Sequence, residues 1–188
     1  MGRWQPDAAG RLQLAAFQLY AERGYEQTTV AEIAERAGLT ERTFFRHFAD
    51  KREVLFSGSG ELQQLIVEAV EAAPASATPM EAIAIGLSAA GAMFDARRRP
   101  HSRQRQSVID ANPELQEREL VKLASLAAAL TDALRRRGVP DPAAGLTAEA
   151  GVAVFRIAFE RWLRDDSTHD FVRFVHEGIS ELRTVAAS

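Results

Sequence analysis

Residues 28–55 read TTVAEIAERAGLTERTFFRHFADKREVL, and this stretch leaves few folds open. Val30, Ile33, Ala34 and Ala37 recur on one helical face, Gly38-Leu39-Thr40 interrupts the pattern, and Phe44 and Phe48 resume it one turn apart. Thr29 with Glu32 three residues on is the signature of a capping box, Gly38 is a stop, and Thr40 caps a second helix. Two short helices joined by a three-residue, Gly-containing turn make a helix-turn-helix, expected over residues 29–48. Helices this short are marginal alone and need a third behind them. Leu12, Ala15, Ala16, Leu19 and Tyr20, between Asp7 and Gly24, supply it.

The rest of the chain also carries helical periodicity, and no Val/Ile/Thr run alternates with period two. Asp50 and Glu53 open a helix expected to continue through Ser57-Gly58-Ser59-Gly60 to about Ala73. Thr78-Pro79-Met80-Glu81 combines an N-cap, a proline at the first helical position and an acid three residues on; its helix should end near Arg97-Arg98-Arg99-Pro100. A shorter helix is expected from Ser102 to Ala111. Asn112-Pro113 opens the next, which ends at Arg135-Arg136-Arg137-Gly138. Thr147 opens one to about Arg164, and Thr168 or Asp170 opens the last, to about Val185. The expected fold is all-α with nine or ten helices: a three-helix unit over residues 1–56, then a helical bundle over 57–188.

Composition removes whole classes of function. There is no cysteine, which excludes a disulfide framework and a thiolate metal site. Four histidines are present without an HExxH pair, and no Gly-rich phosphate loop occurs, so no catalytic residue, metal or cofactor is expected and the chain does not read as an enzyme. No apolar run is long enough to span a membrane, and MGRWQPDAAG lacks the apolar core of a leader; a cytoplasmic protein is expected.

The net charge of −3 does not advertise nucleic acid, and residues 1–56 hold eight basic and eight acidic side chains. A DNA-binding reading must therefore rest on where the charges sit. Residues 40–52 concentrate Arg42, Arg46, Lys51 and Arg52 against Glu41 and Asp50. Thr40, Glu41, Arg42, Thr43, Arg46 and His47 lie away from the Phe44/Phe48 face of the second helix, the side that enters the major groove in a helix-turn-helix. Arginine can donate two hydrogen bonds to guanine and glutamate can accept from cytosine. Lys51 offers an ammonium and a backbone N–H to a phosphate.

Thr29, Val30, Ile33, Ala34, Ala37, Gly38, Leu39, Thr40, Thr43, Phe44, Phe45, His47, Phe48 and Lys51 match, at fixed spacing, the DNA-binding signature that this segment resembles, that of the TetR family. Ala15-Ala16-Phe17 and Glu22-Arg23-Gly24-Tyr25 resemble that family's first helix. The resemblance implies a homodimeric transcriptional regulator that binds double-stranded operator DNA and is released by a small-molecule effector. It implies that Thr28 or Thr29 touches a phosphate, that Thr40, Glu41 and Arg42 face the groove, and that Thr43, Phe45, His47 and Lys51 hold the DNA backbone. Position 45 is often tyrosine in the family; Phe45 has no hydroxyl to offer a phosphate. The neutral N-terminal charge balance leaves an alternative, a helical protein-interaction module whose helix-turn-helix has lost DNA binding.

Residues 112–162 resemble a C-terminal type found among actinobacterial regulators of this family, some associated with acyl-CoA-like ligands; an apolar or acyl-CoA-like effector is the corresponding expectation. Val152, Phe155, Phe159 and Trp162 recur at helical spacing with Arg156 beside them, and Met93 and Phe94 lie on another helix. Helical bundles place ligands between helices, against apolar groups with a few polar ones, so Met93, Phe94, Phe155, Arg156, Phe159 and Trp162 form the expected pocket. The alternative for each aromatic is ordinary core. Arg97, Arg98, Arg99, Arg103 and Arg105 read as a solvated linker or as a site for an anionic ligand group. Phe171, Val172, Phe174, Val175, Ile179 and Leu182 make the last helix apolar enough to cover something, and the family resemblance implies a dimer interface there.

Overall fold

The computed structural model describes residues 8–167 and 169–187. Among the described residues there are ten α-helices, a short 3-10 helix and no strand: α1 Ala8–Arg23, α2 Val30–Arg36, α3 Glu41–His47, α4 Glu53–Phe56, α5 Ser59–Glu71, α6 Pro79–Ala89, the 3-10 helix Ala90–Met93, α7 Arg99–Asp110, α8 Pro113–Arg136, α9 Ala143–Arg164 and α10 Phe171–Ala186. The all-α expectation holds.

The helix starts follow the caps. Thr29 Oγ1 accepts from the Glu32 backbone N–H (3.3 Å) while the Glu32 carboxylate accepts from the Thr29 N–H (2.9 Å), closing the box on α2. Thr78 and Glu81 do the same on α6, with Pro79 in the first turn. Asp170 caps α10 by accepting from the Arg173 N–H at 3.0 Å; Thr168, the other candidate cap, lies outside the described residues.

One expected helix is broken. Instead of running from Asp50 to Ala73, the chain forms α4, leaves the helix at Ser57 and restarts at Ser59. Ser57 is extended, its hydroxyl donates back to the Val54 carbonyl (3.0 Å), and Gly58 takes φ +87°. Only glycine enters that left-handed region without steric cost, so the Ser-Gly pair acts as a stop.

The chain divides into two compact units. The first comprises the described residues up to Ser57 together with Arg103–Glu119; the second holds Gly58–Ser102 and the described residues from Leu120 onward. The expected boundary lies at 56/57, with residues 103–119 expected in the second domain; in the structure residues 103–119 group with the first unit. They belong to the first for a physical reason: Ile109 and Leu115 are 0% exposed and share a core with Leu12, Ile33 and Phe44. Polar contacts fasten the same segment. Arg105 Nε donates to the Leu55 carbonyl (2.6 Å), its guanidinium lies over Phe56 and pairs with Glu119, and Arg118 pairs with Glu53 at 2.5 Å.

The second unit packs α5, α6, α9 and α10 around Ile66, Val70, Ile83, Leu87, Trp162 and Phe171. Gly86 and Gly151 let these helices approach closely. A Cβ on Gly86 would stand 2.9 Å from the Ile66 carbonyl oxygen, and one on Gly151 would stand 2.6 Å from Ile83 Cγ2. No helix of the described residues is long and apolar enough to cross a membrane.

Candidate nucleic-acid interface

The helix-turn-helix is built from the inside outward. Phe44 (0% exposed) and Phe48 anchor one face of α3, their ring centroids 5.4 Å apart. Thr40 fixes the start of α3 by accepting from the Thr43 N–H (3.2 Å). The Leu39 N–H reaches back to the Ala34 carbonyl (2.8 Å) with Gly38 at φ +64°, a left-handed helix stop. From α1, the Arg11 guanidinium donates to the carbonyls of Ala37 and Gly38. Arg36 grips Glu22 through two bonds of 2.8 Å, which ties α1 to α2. These contacts hold α3 as a rigid projection.

Its outer face carries Arg42, Thr43 and Arg46, with Glu41 and Phe45 on one rim and His47 on the other. Glu41 and Arg42 are exposed and have no partner within the described residues. Phe45 is 54% exposed, a large apolar ring standing in water where the other α3 phenylalanine is fully buried. Thr40, Glu41, Arg42, Thr43, Phe45 and His47 thus lie together on and beside the outer side of α3. Arg46 belongs with them: it lies one helical turn from Arg42 on the same face, and the i, i+4 spacing of two arginines was the available signal.

Two expected phosphate contacts are spent inside the chain. Thr28 is 1% exposed, and its hydroxyl donates to the Gly24 carbonyl at 2.8 Å. Thr29 is exposed and remains the candidate at the start of α2. Lys51 is half-buried, and its ammonium donates to the carbonyls of Tyr25 (3.0 Å), Thr28 (3.2 Å) and Glu26 (3.4 Å) while sitting 4.2 Å from the Tyr25 ring centroid. An ammonium has three donors, and all three are taken. Lys51 is a strut that secures the loop between α1 and α2. Tyr20 braces the same place, donating to the Lys51 carbonyl at 2.9 Å, and its burial pushes the phenol well above its ordinary pKa.

In the second unit, Phe94, Phe155, Phe159 and Trp162 come together in the hydrophobic core, with Met93 partly buried at the end of the 3-10 helix. Phe94 is the hub, 4.8–6.1 Å from the centroids of Phe171, Phe159, Trp162 and Phe155. Arg156 does not join them. It is exposed and pairs with Glu160 along α9 (3.4 Å), because its position faces outward when Phe155 faces in. The buried arginine is Arg99, 6% exposed, from the run Arg97-Arg98-Arg99. Its Nη1 donates to the carbonyls of Asp165 (2.7 Å) and Ser167 (2.6 Å), its Nη2 donates to that of His169, and its guanidinium lies 5.1 Å from the Trp162 ring centroid. Arg97, Arg98 and Arg103 are exposed.

The apolar side of α10 is used within the chain. Phe171, Phe174, Val175 and Ile179 are at most 7% exposed in the core of their own unit, Val172 packs on Gly91, and Leu182 packs against the same core. They have little surface left for a partner. Exposed apolar side chains of this unit are spread over several helices: Ile85 (40%) on α6, Leu120 (65%) and Val121 (49%) on α8, Leu146 (69%), Ala153 and Ile157 (43%) on α9, and Val185 (72%) near the end of α10.

Comparison with known proteins agrees with this architecture. The family model described as "Bacterial regulatory proteins, tetR family" matches residues 14–57, and that of the MftR C-terminal domain matches residues 77–187. The chain is 41% identical over 68 residues to the transcriptional regulator TcmR of Streptomyces glaucescens, covering 36% of this chain but only 30% of TcmR. It is 26% identical over 173 residues to a protein named as the mycofactocin biosynthesis transcriptional regulator MftR of Mycobacterium tuberculosis, covering 89% of this chain and 85% of MftR. Among solved structures, a transcriptional regulator from Pseudomonas aeruginosa has a TM-score of 0.66 at 17% identity, covering 99% of this chain and 94% of that one. FadR of Bacillus subtilis, solved with stearoyl-CoA, has a TM-score of 0.59 at 20% identity, covering 92% and 96%. Those two likenesses are of fold. With the helix-turn-helix and its projecting α3 on one side and the matched C-terminal bundle on the other, the chain belongs to the TetR family of DNA-binding transcriptional regulators and is not an enzyme.

Proposed function

We propose that this regulator is a homodimeric repressor that holds a pseudo-palindromic operator through α3 of each copy and lets go when a small apolar molecule binds its second unit. The observation that carries the DNA part is the outer face of α3, where Arg42 and Arg46 project from a helix whose inner face is locked by Phe44 and Phe48. Arg42 reads a base edge, with Glu41 and Thr43 beside it; Thr29, Thr40, Phe45 and His47 lie against the sugar-phosphate backbone. Electrostatic attraction is local, since the unit as a whole is close to neutral.

The two-fold contact is placed on α9. Leu146, Ala150, Ala153 and Ile157 recur on one side of that helix, and the outermost of them are exposed in the single chain. A two-fold axis along this side would bury them against their copies. The effector reading rests on the aromatic cluster of the second unit, which suits an apolar group; the FadR fold neighbour is bound to stearoyl-CoA, a ligand that joins a long apolar acyl chain to a polyanionic head. An effector shifts the DNA-bound state only by its differential affinity for the two states.

Selection of bound sequences from random duplex DNA tests the proposal. The expected result is an inverted repeat whose half-site centres lie about 34–36 Å apart, one turn of B-DNA. A single half-site with no two-fold partner would remove the dimer; no preferred sequence would remove base readout.

A further inference from the structure

The second unit buries an arginine against a tryptophan and leaves a donor on each without an acceptor. Arg99 spends its Nη groups on three carbonyls between α9 and α10, while its Nε–H has no partner among the described residues. Trp162 is 0% exposed, and the N–H of its indole, the ring's single donor, is also unmatched. Buried donors are nearly always paired, because an orphan loses its hydration for nothing. Neither group takes part in the DNA-binding face.

Three phenyl rings lie against Trp162, those of Phe94 (5.7 Å), Phe159 (5.8 Å) and Phe171 (6.5 Å), and Phe155 packs on Phe94. Phe155 and Phe159 stand on α9 and Phe171 on α10, but Phe94 lies outside any regular helix, just after the 3-10 helix, and is half-buried. Its ring touches the four other aromatic rings. Phe94 therefore fills the middle of the cluster from a segment outside the regular helices. The charge at the site is already balanced. Asp165 lies 3.6 Å from Arg99 Nη1, and the Ser167 hydroxyl helps hold its carboxyl below the usual carboxylate range. Adding an anion would bury an uncompensated negative charge, whereas adding a neutral acceptor would not.

We infer that Trp162 Nε1 and Arg99 Nε anchor the carbonyl oxygen of a neutral, largely apolar effector, such as a ketone, ester or lactone, whose apolar body displaces the Phe94 ring. This rests on the reading of the second unit as effector-sensing and names the chemistry of its ligand. Arg99 is also the first residue of α7, whose residues from Arg103 onward belong to the first unit.

The probes are 2-acetylnaphthalene, its hydrocarbon isostere 2-isopropenylnaphthalene, and 2-naphthoate, titrated by calorimetry and by NMR into the full chain carrying Trp4→Phe, which leaves Trp162 as its one indole. The ketone should bind about tenfold more tightly than the hydrocarbon, more tightly than the carboxylate, and should move the Trp162 indole proton downfield. In Trp162→Phe the ketone-to-hydrocarbon ratio should fall toward one; a purely structural role would weaken both probes together and leave the ratio alone. Phe94→Ala should tighten both probes and preserve the ratio. Equal binding of ketone and hydrocarbon, tightest binding of naphthoate, or no binding even to Phe94→Ala would overturn the inference. Operator binding by the same preparation separates the two readings: sequence-selective DNA binding without probe binding sinks this inference alone, and ketone-selective binding by a protein with no DNA preference sinks the regulator reading alone.

Discussion

Replacing Lys51 with methionine separates two roles that sequence alone runs together. A lysine at the start of the turn after α3 reads as a phosphate contact, yet its ammonium donates to the carbonyls of Tyr25, Glu26 and Thr28 and lies over the Tyr25 ring. Methionine keeps the aliphatic stem on that ring and removes the charge and the donors. Charged hydrogen bonds contribute about 1.5–3 kcal/mol each when buried. Here the group is half-buried and the Glu26 carbonyl can rehydrate, so a total near 2 kcal/mol is the reasonable scale. For a chain of this size that corresponds to a fall in Tm of about 4–8 °C. The assay is thermal unfolding of wild type and Lys51→Met, paired with DNA titrations at several salt concentrations. The strut predicts the Tm loss with the slope of log affinity against log salt almost unchanged. An unchanged Tm with a slope reduced by about one phosphate per protomer would restore the phosphate contact and refute the reasoning.

Arg42→Ala should cost about 1–3 kcal/mol of operator affinity and relax the preference at one base position per half-site, which comparison of single-base operator variants would reveal. Phe45→Tyr should tighten operator binding by roughly 1 kcal/mol, because the new hydroxyl stands on an exposed rim residue where a phosphate can accept from it; gel-shift titration measures it. Gly58→Ala and Gly60→Ala should act in opposite directions in denaturant melts: the first forces a Cβ into φ +87° at a cost of about 1–2 kcal/mol, and the second adds helix propensity of up to about 1 kcal/mol in open space. Glu32 is held below its ordinary pKa of 4.5, chiefly by the Thr29 backbone N–H, so its stabilisation is present above the unfolded value and fades as pH falls through the folded one. Wild type should therefore melt above Glu32→Gln at pH 7, and the gap should close below pH 4.5.

How much of this was legible in the sequence depends on how local each cause is. Thr29 with Glu32, Thr78 with Glu81, and Gly38 act through neighbours three or four residues away, and all appear where periodicity and caps place them. The break at Ser57-Gly58 was harder, because four residues of α4 carry too little periodicity to announce a separate helix. Residues 103–119 could not be assigned locally at all. Ile109 and Leu115 sit in a polar stretch, and their partners Leu12 and Phe44 lie far away along the chain. The site shows the same division. The outward face of α3 follows from Phe44 and Phe48, but nothing nearby says that Thr28 turns inward while Thr29 stays out, or that Lys51 is consumed by carbonyls. In Arg97-Arg98-Arg99 three identical side chains differ only in what they meet, and Arg99 is the one that meets the Asp165 and Ser167 carbonyls and the Trp162 ring. The apolar side of α10 was visible, but periodicity could not say whether it faces its own core or a second copy.

The most direct test of α3 as the reading element is dimethyl sulfate protection on the selected operator. This reagent methylates guanine N7 in the major groove and adenine N3 in the minor groove. The account predicts protected guanines in two patches about one helical turn apart, with the protection lost in Arg42→Ala. Protection confined to adenine N3, or guanine protection unchanged by that substitution, would contradict it.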